Sequence, residues 1–78
     1  MRQKELRFVV TFHTTAEAMA MEGLCKKAGV PGKLISAPRS VSADCGIAWS
    51  SPAAEENAVR RVTQEAALEI QGFHSLIL

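Results

Sequence analysis

If this chain carries out chemistry, Cys45 is the residue to carry it. It lies in the stretch Pro38-Arg39-Ser40-Val41-Ser42-Ala43-Asp44-Cys45-Gly46, with a guanidinium six residues before it and a glycine directly after it. The thiolate, not the thiol, is the nucleophile, and positive surroundings favour it. Arg39 could supply such charge, His13 could serve as base or hydrogen-bond partner, and Gly46 removes a side chain beside the sulfur. Asp44 pulls the other way, because a nearby carboxylate disfavours thiolate. Against these readings stand plainer ones. Cys45 could be a small residue filling a strand end, His13 a loop or cap residue, Arg39 a solvated charge, and His74 an exposed residue of an edge strand.

The other cysteine reads differently. Cys25 falls on the apolar stripe of a helix and is expected in the core, where free cysteine is commonly found. Twenty positions separate the two, which fits neither a CxxC pair nor a dense disulfide framework. Two free thiols in a reducing, cytoplasmic setting are expected. His13, Asp44, Cys45 and His74 include zinc-ligand types, but close pairs such as HxxxH are lacking, so no metal and no cofactor are expected.

These residues must be positioned by regular elements. Residues 6–12 alternate: Leu6, Phe8, Val10 and Phe12 on an inward face, Arg7, Val9 and Thr11 on the other, the period of a strand. Thr14-Thr15-Ala16-Glu17 is a capping box. It predicts a helix to about Ala28, stopped by Gly29, with Ala18, Met21, Leu24, Cys25 and Ala28 on one stripe. Val30-Pro31-Gly32 signals a turn, and Lys33-Leu34-Ile35-Ser36 a short edge strand. Residues 46–50 form a third strand. Ser51-Pro52 reads as N-cap and first helical position of a second helix that runs to about Ile70, buries Ala58, Val59, Val62 and Ala66, and ends at Gly72. Residues 73–78 close the chain as a fourth strand.

The order βαββαβ points to an α+β ferredoxin-like sandwich, a four-stranded antiparallel sheet with both helices on one face, formed by residues 1–78 as a single domain. With the usual strand order 4-1-3-2, the loop holding Cys45 lies at the rim where the first strand passes into the first helix. His13, Thr14 and Thr15 are there, and the start of the fourth strand brings Phe73 and His74 near. If Ile47 and Trp49 face the helices, Cys45 shares their parity and its sulfur points toward the first helix, whose N-terminal N–H groups favour an anion.

Bulk properties narrow the classes of function. Apolar residues make up 47% of the 78 and charged residues 22%, ordinary for a globular domain. A formal net charge of +1 selects neither nucleic acid nor anionic membrane. No apolar run approaches the ~20 residues of a membrane span. The start, Met1-Arg2-Gln3-Lys4-Glu5-Leu6-Arg7, leads into a run too short for a signal-peptide core. RNA-recognition domains share this topology, but Cys45-Gly46-Ile47-Ala48-Trp49 lacks their basic-Gly-aromatic motif. The sheet face away from the helices carries Val9 and Ala48 and is expected to be covered, so a homodimer through sheet faces or edge strands is anticipated.

Three segments carry a family resemblance: Val10-Thr11-Phe12-His13-Thr14-Thr15, Leu34-Ile35-Ser36-Ala37-Pro38-Arg39 and Ser42-Ala43-Asp44-Cys45-Gly46-Ile47-Ala48. Together they resemble the selenium/sulfur carrier-like family of small domains, over nearly the whole chain. The Pro-Arg and Cys-Gly pairs at this spacing are the specific part. The family's cysteine maps onto Cys45, its proline and arginine onto Pro38 and Arg39, its glycine onto Gly46. The chain departs from the family pattern at Ser36 and Ala43, neither of which touches the thiol. Some members are fused to a sulfur-transfer domain, so the resemblance implies carriage of sulfur or selenium, with donor and acceptor proteins as partners. The expectation is a carrier more than a turnover enzyme, with Cys45 accepting and passing on a persulfide-type group. The alternative is a non-catalytic module in which Pro38, Arg39, Thr14, Thr15 and Gly46 line an anion site and the cysteine is only wall.

Overall fold

The computed structural model describes residues 4–78; the part of the N-terminal reading that rests on residues 1–3 lies outside the described residues. The elements are β1 (Leu6–Thr11), α1 (Thr15–Ala28), β2 (Lys33–Ser36), β3 (Ile47–Pro52), a 3-10 turn (Ala53–Glu55), α2 (Glu56–Glu65) and β4 (Gly72–Ile77). The sheet order is β2-β3-β1-β4 with every pairing antiparallel, the ferredoxin-like arrangement. No helix is long and apolar enough to cross a membrane, among the described residues.

The alternation in β1 does what its period requires. Phe8 and Val10, with Phe12 just beyond the strand, enter the core shared with Met21, Trp49 and Val59. The opposite face buries its centre as well. Val9 and Thr11 are fully buried because β1 is central, and Val9 is flanked across the ladders by Ser50 and His74. Arg7 reaches over this face, donating from Nε to Ser50 Oγ at 2.9 Å. The apolar centre expected to need a cover is therefore closed by the chain itself. The exposed large apolar residues are Leu6, Met19 and Ile77, and Leu6 and Ile77 pair directly across β1 and β4.

The capping box forms as read. The Glu17 amide donates to Thr14 Oγ1 at 3.3 Å, and the Thr14 amide donates to Glu17 Oε1 at 3.0 Å. Such a cap is worth about 1 kcal/mol. Helix α1 buries Ala18, Met21 and Cys25 and ends at Gly29. Leu24 is only half-buried and Ala28 is exposed; with Ala66 they border a solvent-open cleft between the ends of the two helices.

The second helix corrects the sequence reading at both ends. Pro52 has φ −55° and ψ 145°, which is extended, so β3 continues to it, opposite Arg7. Ser51 does not cap a helix. It is buried and accepts a 2.7 Å hydrogen bond from Trp49 Nε1, giving the indole its partner. Helix α2 stops at Glu65 rather than near Ile70, so Ala66 is exposed and not core. The stop is a Schellman motif: Leu68 N–H donates to the Thr63 carbonyl, Ala67 N–H to the Gln64 carbonyl, and Ala67 takes the left-handed φ of 51°. No glycine marks this end, and Gly72 instead opens β4.

Two further contacts fix the layers. Arg60 of α2 lies 4.6 Å from the Phe73 ring centroid, and Phe73 stacks on Phe8 at 5.5 Å. On the other side, Gly32 approaches Trp49 so closely that a methyl group there would sit 2.5 Å from the indole Cζ2.

Candidate functional site: the Cys45 turn and its anchors

The connection between β2 and β3 is ordered by its own backbone. Ala37 N–H donates to the Gly46 carbonyl at 3.0 Å, extending the ladder by one bond. A first turn, 38–41, is closed by Val41 N–H on the Pro38 carbonyl at 3.1 Å. A second, 43–46, is closed by Gly46 N–H on the Ala43 carbonyl at 3.0 Å. Gly46 leaves this turn with φ 75°, the left-handed region that costs a side-chain-bearing residue about 1–2 kcal/mol. A Cβ there would meet nothing within 4 Å. The need for glycine is thus conformational: it aims the strand out of the turn.

Cys45 occupies the third position of the second turn and is half-buried. Its Sγ donates to the Ile47 carbonyl at 3.3 Å, and its side chain packs on the hydrophobic core beside Ile47. This is the helix-facing side that the parity of Ile47 and Trp49 suggests.

The turn is held by its neighbour. Asp44 Oδ2 lies 2.8 Å from His13 Nδ1. The Asp44 amide donates to Gln71 Oε1 at 2.9 Å, and Gln71 Nε2 reaches Asp44 Oδ1 at 3.5 Å. Gln71 is itself anchored, its amide donating to the Thr11 carbonyl at 2.8 Å. One carboxylate thus joins the β2–β3 loop, the β1–α1 junction and the lead-in to β4. The hydrogen bond that Asp44 accepts raises the His13 pKa above its ordinary 6.5; desolvation opposes the rise, and the charges of Asp44, Glu17 and Glu69 add to it.

The sequence places the loop at this rim correctly, but the partners within it differ. His13 is engaged with Asp44, while the recorded hydrogen bond of the Cys45 sulfur goes to the Ile47 carbonyl. Thr14 spends its hydroxyl on the cap, and the Glu17 carboxylate sits on the first turn of α1, where an external anion would otherwise bind. Thr15 is exposed at the helix start. Arg39 is exposed at the tip of the first turn, with no hydrogen bond or ion pair to any described side chain. His74 lies on the sheet face away from the helices, where its Nε2 is 3.4 Å from Thr11 Oγ1, and takes no part in the recorded Asp44 contacts. Pro38 also belongs to that face, where it borders a groove of about 510 Å³ with Arg7, Lys33, Ile35 and Ser50. Gln71 was not foreseen; its only sequence signal is a position just before the fourth strand. Among the described residues, no three His, Cys, Asp or Glu side chains gather as a metal ion would require.

Cys25 is fully buried, and burial pushes its thiol up to about 11. It is a core residue, as read, and both cysteines are free. Fold and rim together define a small ferredoxin-like domain that presents a single accessible thiol on an anchored turn. The family model described as "Putative Se/S carrier protein-like" matches residues 7–75, and the chain belongs to that family. No curated protein and no solved structure matches the chain.

Proposed function

We propose that the protein carries sulfur or selenium on Cys45. Membership of the carrier family over residues 7–75 is the observation that supports this most directly, because that span contains Cys45 with its whole anchored turn. The chemistry needs no external oxidant. The Cys45 thiolate attacks the outer sulfur of a donor persulfide. The donor's S–S bond breaks, its own thiolate leaves, and Cys45 becomes a persulfide. An acceptor nucleophile then takes the outer sulfur, and the Cys45 thiolate is the leaving group. With selenium as the outer atom the bookkeeping is the same. His13, beside the turn, takes up the proton released as the thiolate forms, and Arg39, exposed on the same loop, contacts the partner proteins.

Such a carrier works in a reducing, cytoplasmic compartment where both thiols stay free. Self-association uses the exposed apolar pair Leu6 and Ile77, which lie side by side across β1 and β4. A clean monomer by light scattering, unchanged in Ile77→Lys, would remove that part.

The central test is incubation with a persulfide donor followed by intact mass. Wild type is expected to gain the mass of one sulfur, lost on reduction, and Cys45→Ser to gain none. Equal labelling of the two, or none on wild type, rejects the carrier reading and leaves a non-catalytic module.

A further inference from the structure

The Asp44 hub contains one residue that no chemistry of the thiol requires. Gln71 contributes neither charge nor nucleophile, yet it contacts Asp44 twice, at the main-chain amide and at the carboxylate. Its own backbone is tied to β1 through the Thr11 carbonyl. Asp44 directly precedes Cys45 and lies inside the same 43–46 turn. Gln71 thus holds the 43–44 peptide, one of the units of the turn that presents Cys45.

We infer that Gln71 is a positioning residue for the Cys45 thiol, holding the 43–46 turn closed so that the sulfur stays tucked against the core and on the Ile47 carbonyl. The inference rests on the carrier reading only for its purpose; the geometry stands apart from it. A second consequence concerns His13. With Oδ1 approached by Gln71, the other carboxylate oxygen is presented to the imidazole. Release of Gln71 frees both the turn and the orientation of the carboxylate. For a carrier, this sets a resting state with a half-hidden thiol.

The test compares wild type with Gln71→Ala and with Gln64→Ala, an exposed glutamine of α2 whose side chain makes none of the recorded contacts to the turn. Three quantities are read: amide exchange of Asp44, the rate at which iodoacetamide alkylates Cys45 by peptide mass, and the His13 midpoint by NMR. For Gln71→Ala, Asp44 exchange and Cys45 alkylation should each rise about fivefold, the effect of losing one modest hydrogen bond. The His13 midpoint should fall toward 6.5, with Glu17 and Glu69 retaining part of the rise. A merely structural loss would not move that midpoint selectively. Gln64→Ala should change none of the three. If alanine at 71 unfolds the chain, Gln71→Met keeps the side-chain length, neither accepts from the Asp44 amide nor donates to its carboxylate, and is expected to give the same faster alkylation. Unchanged exchange or alkylation in the Gln71 variant, or equal changes in Gln64→Ala, overturns the inference. None of the three readouts uses a sulfur donor. Wild type that accepts no sulfur while these shifts appear would sink the carrier reading and leave the role of Gln71 intact.

Discussion

Asp44 Oδ2 and His13 Nδ1 meet at 2.8 Å across thirty-one positions of chain, an ion pair when the imidazole is protonated. Its pH dependence has a definite sign. The folded-state pKa of His13 lies above its ordinary 6.5, chiefly through the hydrogen bond to Asp44. Folding therefore favours the protonated form. The stabilisation is fully present below pH 6.5 and is lost as pH rises through the raised folded value. Asp44→Asn should bring the His13 midpoint down toward 6.5 and flatten the loss of stability over that interval. NMR titration of the imidazole with denaturant melts at several pH values checks both. An unmoved midpoint would show that Asp44 is not the cause.

The two thiols should react in opposite ways. Cys25 is fully buried and its thiol is pushed up to about 11. At pH 8 only about a thousandth of it would be thiolate even if a reagent could reach it. Alkylation of the native protein should therefore label Cys45 alone, and Cys25 should label only after denaturant is added. Peptide mapping of the labelled sites decides this; rapid native labelling of Cys25 would contradict the packing of α1.

Ala67 is the non-glycine residue with positive φ among the described residues, at 51°. It closes α2 in a conformation that a Cβ disfavours by about 1–2 kcal/mol. Replacing it with glycine removes that cost against a smaller entropic one. Ala67→Gly should stabilise the domain by about 0.5–1 kcal/mol. A denaturant midpoint equal to or below wild type, with the slope unchanged, would refute it.

Gly32→Ala should do the reverse. The added methyl would sit 2.5 Å from Trp49 Cζ2 and 2.7 Å from the Ser50 carbonyl oxygen, and backbone cannot yield as a flexible side chain can. Overpacking of this kind costs about 1–3 kcal/mol. Lower thermal stability together with a shift in tryptophan emission is expected; wild-type stability would mean that the 30–33 turn moves aside freely.

How far the sequence could be read depended on whether each signal was local. The strand period of residues 6–12 and the Thr14–Glu17 box involve residues within one turn or strand of each other, and both appear, with the correction that Leu6, read as inward, is exposed at the start of the strand. The βαββαβ order then fixes which rim the loop occupies, so the meeting of the Cys45 turn with His13's neighbourhood was legible. The end of α2 was not, because alanine at 67 carries no left-handed signature and the nearest glycine lies five residues on. Ser51-Pro52 resembled a cap, but the indole of Trp49 claimed the serine hydroxyl, a demand visible only once Trp49 is buried. Gln71 was hidden for the same kind of reason. Its partner lies twenty-seven residues away, and a glutamine before a strand says nothing of what it will bind.

The Asp44 hub draws on both halves of the chain, His13 from the first and Gln71 from the last stretch. During synthesis, then, the cysteine emerges after His13 but well before Gln71. A nascent chain halted after β3 would display the thiol without the Gln71 anchor or the β4 strand beside β1. The resting state of the thiol thus waits on the stretch from Gln71 through β4. Loading before release from the ribosome would meet a different, looser cysteine.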